Sequence, residues 1–515
     1  MAEWSNAPDL KSDEPQGSIG SNPILSAILY NTLMRYTMNT KVLLLLSSIF
    51  LTACGGDESS TTPLESVANT PSTPTVAEPT DLEIALEDLQ DIMNATSPTG
   101  SYEGYILPES DDFLNIPQDP NNPITAEKVA LGKLIYHETG ITSDGLGKTD
   151  MDNTWSCASC HNGQNGFKSG IRQGIGEGGV GFNHRTFAEG MEELADIQPV
   201  TSPTVLNTAY QEVMLWNGQF GNVVGGIVNV GIDPERHFTE GTPKGENLRG
   251  FAGLETQALA GLVVHRMNAA EPDSILSTNE KYQMMFEAAY GTSQPNDMLE
   301  AAALAIAAYE RTILANQAPF QKMLRGDANA LSLEEVEGAK VFFGKGGCAG
   351  CHNGPALSSP VGSLASEVFM TLGFNDLDMW EDTVGEVNQA TKEGRAGFTG
   401  DEMEKYAFKV PPLYNLKDTN VFGHGGSFTS VADVVRYKIM AVAEHSEVES
   451  TNLDHRFVPL DLTDEEVSNL VIFLEDGLHD PDLMRYVPEE LPSGNCVTNN
   501  DEQSREELGC TDNGQ

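Results

Sequence analysis

"CASCH", residues 157–161, returns as "CAGCH" at residues 348–352. With seven cysteines and ten histidines in 515 residues, a five-residue string of this kind does not recur by accident. The stretches leading into the two motifs are alike as well, "ITAEKVALGKLIYHE" at 124–138 and "LSLEEVEGAKVFFGK" at 331–345. Each opens on a Thr or Ser cap and spaces its apolar residues helically. Each also carries a glycine, Gly132 or Gly338, four residues before an aromatic, Tyr136 or Phe342. Ser332 with Glu335 forms a capping box, as do Thr463 and Glu466 at the head of "LTDEEVSNLVIFLEDGL", 462–478. The pattern predicts a duplicated unit in which the glycine lets a first helix pack tightly on a last one.

Strand signals are weak elsewhere, and helical ones recur, as in the Ala-rich "NDMLEAAALAIAAYERTILANQ" at 296–317. This stretch, with the "APFQKMLRGDANAL" that follows, reads as the hinge between units, with a boundary near 320. Glycine is abundant between 163 and 255, which predicts irregular backbone there. The fold class expected is all-α, two cytochrome c-like haem domains with long irregular loops.

A net charge of −47 and a pI near 4.3 argue against nucleic acid and against a basic membrane-surface patch. "MNTKVLLLLSSIFLTAC", 38–54, sets Lys41 before a short apolar run that fits a secretory leader and is too short to span a bilayer. Leu51, Thr52, Ala53 and Cys54 resemble a bacterial lipobox, which makes Cys54 the lipidated first residue of the mature chain. Gly55 after it points to the outer membrane of a Gram-negative bacterium, facing the periplasm. Residues 1–37 read as a non-native extension, 38–53 as the signal peptide, and 54–80, rich in Ser, Thr and Pro, as a flexible tether. The remaining segments are 81–320 and 321–485, one haem domain each, and a polar tail, 486–515.

An exported chain sits in an oxidising compartment, so each cysteine needs an assignment. Cys54 takes the lipid, and Cys496 with Cys510 is expected to close a disulfide loop in the tail. Cys157 with Cys160 and Cys348 with Cys351 remain, each pair followed at once by a histidine, His161 or His352. Two thiols on one turn clasp the edge of a macrocycle while the next side chain reaches its centre, the attachment pattern of c-type haem. A zinc ribbon or a pair of redox disulfides needs no such histidine. Two covalent haem c groups are expected, with His161 and His352 as iron ligands.

From about Ile124 to Pro481 the chain resembles the bacterial di-haem cytochrome c peroxidases and their MauG-type relatives. "CASCHNG", "SPTVLNTAY" at 202–210, "LWNGQFG" at 215–221, "LETQALAG" at 254–261, "AAYERTI", "CAGCHNG", "VPPLYNL" at 410–416 and "FGHGGSFTSVADVV" at 422–435 follow in order. The resemblance implies hydrogen peroxide as the oxidant at the first haem and electron entry at the second. The electron donor would be a small redox protein, a cytochrome c or a cupredoxin. Trp216 would relay electrons between the haems, and Gln257 would stand over the first. A MauG-type oxidase of a protein or organic substrate, and a di-haem electron carrier, are the alternatives. A homodimer is among the assemblies left open.

The departures from the family pattern fall near the irons. Where a glutamate acts as acid and base, this chain has His265 and Arg266, expected as base and electrostatic stabiliser, although Arg266 could equally pair with a carboxylate. His184, in the loop after the first motif, is not expected to ligate, because the glycines around it resemble members with an open first haem. For the second haem the sixth ligand is expected from Tyr437, Met440 or Lys438. Met440 is preferred, since a thioether favours ferrous iron. The family's calcium ion would fall to Thr201, Thr419 and Val421, with a hydroxyl in place of an amide carbonyl. His424 is expected to buttress the second haem.

Overall fold

The computed structural model describes residues 78–142, 151–221, 228–229, 232–291 and 297–510. The leader, Cys54 and most of the tether lie outside the described residues. Among those described, no helix is long and apolar enough to cross a membrane.

The chain is mostly helical. The principal helices are α1 (Asp81–Thr96), α2 (Ala126–His137), α3 (Gly253–Val264), α4 (Glu280–Tyr290), α5 (Met298–Arg311), α6 (Leu333–Phe343), α7 (Val431–Met440), α8 (Asp464–Ile472) and α9 (Glu502–Leu508). Side-chain caps start most of them. Thr80, Ser332 and Thr463 each form a capping box with the glutamate three residues on, which satisfies backbone donors that the first turn leaves free. The strands are short: β1 (Gly179–Val180) pairs antiparallel with β2 (Thr186–Phe187), and β3 (Phe369–Thr371) with β4 (Ala407–Lys409).

Two helix pairs carry the repeat. α2 packs on α5 and α6 packs on α8, each crossing made close by its glycine. A Cβ at Gly132 would lie 1.9 Å from the Ala305 carbonyl oxygen, and one at Gly338 would lie 2.0 Å from that of Asn469. Backbone meets backbone at both crossings, so neither site has room for a methyl group. α1 lies against α6, burying Ala85, Leu89 and Met93 along one face, and α3 lies against α5.

α5 corrects the reading of 296–317 as a hinge. Every residue from Ala301 to Arg311 is buried, and the helix stands to α2 as α8 stands to α6. It closes the first repeat.

The tail is no loose end either. Cys496 and Cys510 are joined, and α9 lies in the loop between them. Ahead of it, Ser156 donates to the Thr498 carbonyl at 2.8 Å, and Asn499 donates to the Gly181 carbonyl at 3.1 Å. Asp501 accepts from the Gly181 amide at 3.0 Å and pairs with the buried Arg185. These contacts fasten the C-terminus over the first motif and the glycine-rich loop after it.

Candidate active site

The two motifs share more than their letters. Each begins in a single 3-10 turn, Cys157–Ser159 or Cys348–Gly350. A backbone bridge then closes the loop, Asn162 to Lys168 or Asn353 to Ser358, around a residue in the left-handed region, Phe167 (φ 55°) or Leu357 (φ 48°). His352 Nδ1 lies 3.1 Å from the carbonyl oxygens of both Leu357 and Pro411, and the fully buried ring of His161 sits beside those of Phe167 and Pro203. A carbonyl accepts only from a protonated Nδ1, so at His352 this arrangement leaves Nε2 with its lone pair free for a metal, while His161 Nδ1 is buried without a hydrogen bond.

Electrostatics agree. Burial lowers the pKa of both rings to about 4, His161 with help from the charge of His265 and His352 with help from Lys438. Burial also pushes Cys157, Cys160 and Cys348 up to about 12 and raises Cys351, and the structure leaves all four as free thiols. A neutral imidazole beside two protonated thiols fits a thioether-bound haem with an axial histidine.

The first motif opens on a cleft with an empty volume of about 1880 Å³, mouth included. Cys157, Cys160 and His161 line it, together with Trp216 and, from α3 and its C-terminal end, Gln257 and His265. His265 Nδ1 is 2.7 Å from Asp196 Oδ2. Burial disfavours the charged ring, yet the adjacent carboxylate prevails and raises its pKa above the ordinary 6.5. Trp155 Nε1 donates to the His265 carbonyl at 3.2 Å and fixes the backbone there.

Arg266 does not join the cleft wall. Its backbone is left-handed, φ 58°, and its guanidinium pairs with the fully buried Glu177 and donates to the Leu194 carbonyl. The role of electrostatic stabiliser at the iron is corrected to that of a buried ion pair beneath the loop. Asp196 is the partner that sequence reading missed; it lies 69 residues before His265 with no local signature. His184 is two-thirds exposed and pairs with Glu507 of α9, so the tail holds it away from the first motif.

Trp216 sits in a loop closed by the bridge Met214–Phe220, and His424 in one closed by Phe422–Phe428, at the same place in each. These counterparts meet edge-to-face, with ring centroids 6.3 Å apart. Trp216 Nε1 donates to the Thr201 carbonyl at 2.8 Å, and the Thr201 amide donates to the His424 carbonyl at 2.8 Å. His424 also stacks on Phe408 and shares Asp376 with His445. It therefore buttresses the junction.

The residues considered for calcium do not fit a dication. Lys168 Nζ donates to the Val421 carbonyl at 2.7 Å, and Thr201 Oγ1 donates to that of Gly423 at 2.8 Å. Thr419 Oγ1 accepts from the Val421 amide. The Lys168 ammonium already supplies positive charge to this loop.

At the second motif the three candidate ligands separate. Met440, at the end of α7, is 59% exposed. Tyr437 is buried among Phe374, Phe428 and Phe457, and its hydroxyl donates to the Leu372 carbonyl. Lys438 is half-buried, its ammonium 5.2 Å from the centre of the Phe374 ring and 5.7 Å from that of Phe457. Burial lowers its pKa to about 8, and the groups that act on it are Cys351, Cys348 and Asp454. The preference for Met440 is thus not matched by its placement.

A helical unit built twice, each copy carrying a Cys-x-x-Cys-His loop with a buried histidine, has the attachment pattern of a c-type cytochrome at two places. Residues 126–329 match the family described as "Di-haem cytochrome c peroxidase". The methylamine utilization protein MauG of Methylorubrum extorquens is 25% identical over 361 residues, 70% of this chain and 81% of that one. The cytochrome-c peroxidase IdrP1 of Denitromonas iodatirespirans is 26% identical over 383 residues, 70% and 84%. Among solved structures, a MauG-like protein associated with microbial copper homeostasis shares the fold, with a TM-score of 0.53 at 20% identity over 73% of this chain and 96% of that one. Over these stretches the chain is similar to the di-haem cytochrome c peroxidases and to MauG.

Proposed function

We propose that the protein is a lipid-anchored di-haem cytochrome c peroxidase of the periplasm, reducing hydrogen peroxide to water with electrons from a small redox protein. One peroxide, two electrons and two protons give two waters. The observation that carries this reading is the cleft of the first motif, where a histidine ready for iron and the His265–Asp196 pair line one space. When bound, haem c at the two motifs supplies the redox chemistry, one site meeting the oxidant and the other storing an electron.

The chain's own residues do the rest. Asp196 fixes the His265 ring through Nδ1, which leaves Nε2 to take a proton from peroxide and return it to the departing oxygen. Gln257 lines the same cleft as a neutral group able to orient the oxidant. Trp216 and His424 join the wall of the cleft to the second repeat, the path by which a stored electron is resupplied.

Two haem domains, 81–320 and 321–485, each closed by a glycine-mediated helix crossing, accord with this division, except that α1 packs on α6 of the second. Lipidation of Cys54 places the protein at the outer membrane, and the tether extends it toward a diffusing donor. Steady-state turnover of hydrogen peroxide by the holo-protein with a reduced cytochrome c or cupredoxin tests the reading. Sustained donor oxidation is expected. A protein whose ferric haems ignore peroxide would be an electron carrier instead, and slow turnover with oxidation of a protein or organic substrate would point to MauG-type chemistry.

A further inference from the structure

α3 and α7 are counterparts in the two repeats. Each comes after a bridged loop, Met214–Phe220 or Phe422–Phe428, α7 directly and α3 beyond two short helical segments, and each has a defined N-cap position, Ala252 or Ser430. At the same distance from its cap, α3 presents Ala260 and α7 presents Lys438. Ala260 is one of the α3 residues that line the cleft of the first motif, with Leu254, Gln257, Ala258, Gly261 and Leu262, so this helix runs along the space beside the Cys-x-x-Cys-His loop. In the second repeat the position carries a primary amine on a flexible four-carbon stem.

Among the buried and half-buried lysines, Lys128, Lys133, Lys168 and Lys409 each donate to an oxygen, whereas Lys244, in the wall of the first cleft, and Lys438 have no such bond among the described residues. The Lys438 ammonium has neither a hydrogen bond nor an ion pair among the described residues; it lies over the Phe374 and Phe457 rings and near the side chains of Cys348, Cys351 and His352. A half-buried polar head without a partner is costly, and in this setting a metal ion is the partner it lacks. Tyr437 has its hydroxyl on Leu372 and Met440 points to solvent, so neither competes for the place.

We propose that Lys438 Nζ is the sixth ligand of the iron bound by His352. The inference rests on the reading that the second motif carries haem c. Coordination forms one N–Fe bond through the nitrogen lone pair and releases one proton from the ammonium to solvent; no electron moves. The amine closes the second site to peroxide and leaves it to store an electron.

The test uses the full-length holo-protein. A pyridine haemochrome assay first counts haem, and fewer than two per chain in the wild type would refute the underlying haem reading rather than the ligand assignment. With two present, EPR of the ferric protein is expected to show one high-spin and one low-spin haem, with cyanide binding rapidly at one site per chain. In Lys438→Ala the low-spin signal should be replaced by a second high-spin signal, and rapid cyanide binding should rise to two per chain. Met440→Ala and Tyr437→Phe should leave the wild-type pattern intact. If the alanine variant does not retain its second haem, Lys438→Met decides: a thioether in the same place shifts the near-infrared ligand band of the low-spin haem. An unchanged low-spin signature in both Lys438 variants, or its loss in Met440→Ala or Tyr437→Phe, overturns the proposal.

Discussion

Trp216 and His424 hold the same place in the two repeats and touch edge-to-face, 6.3 Å between ring centres at an interplanar angle of 69°. One lines the cleft of the first motif; the other is anchored to the second repeat through Asp376 and Phe408. The junction is thus built from equivalent residues of the two repeats. Trp216→Phe should retain both haems and the fold while slowing electron resupply to the first site, lowering turnover on the order of 10-fold or more. Stopped-flow oxidation of the half-reduced protein by peroxide measures it, and unchanged kinetics would remove Trp216 from the path.

Asp196 sets the pH dependence of the first site. His265 has a raised pKa, so it stays protonated to a higher pH than an isolated ring, and its neutral form, the one able to accept a proton, accumulates as pH rises through that value. Activity should therefore increase with pH along an acid limb governed by His265. Asp196→Asn removes the carboxylate that raises the pKa and should move the limb to lower pH. His265→Gln should lower kcat/KM by roughly 10²–10⁴-fold. A pH profile of kcat/KM unmoved by Asp196→Asn would contradict the pairing.

Gly132 and Gly338 admit no methyl group. Alanine at either must push two helix backbones apart, and each substitution should cost about 1–3 kcal/mol or more. Denaturant unfolding of the holo-protein reads the loss. Equal stability to wild type would mean that the crossings are looser than the 1.9 and 2.0 Å approaches indicate.

Lys168 occupies the Val421 carbonyl at the junction, so the account predicts that calcium is not needed there. Chelator and added calcium should leave turnover and unfolding unchanged, whereas Lys168→Met leaves the Val421 carbonyl without its donor and should destabilise the protein by about 1–3 kcal/mol. Activity lost to a chelator and restored by calcium would show that the ammonium does not take the ion's place.

Much of the architecture was legible because the repeat is written locally. Capping boxes, the two glycines and the Cys-x-x-Cys-His strings lie within a few residues of the elements they define. α5 escaped because its alanines cover every face, so no stripe marks which side is buried; only the glycine on α2 pairs it with a partner. Asp196 and the tail escaped for another reason. His265 and Asp196, or Ser156 and Thr498, are joined by folding across long separations, and nothing near either member announces the other. Arg266 shows the limit most plainly. Sequence adjacency to His265 suggested a shared role, but a left-handed backbone at φ 58° turns its side chain to Glu177 instead.

Haem stoichiometry tests the central claim most directly. Protein from an export-competent host should give a pyridine haemochrome of two haems per chain, falling to one when Cys157 and Cys160, or Cys348 and Cys351, are replaced by serine. Fewer than two haems in the intact protein, or a count that either pair of substitutions leaves unchanged, would contradict the account.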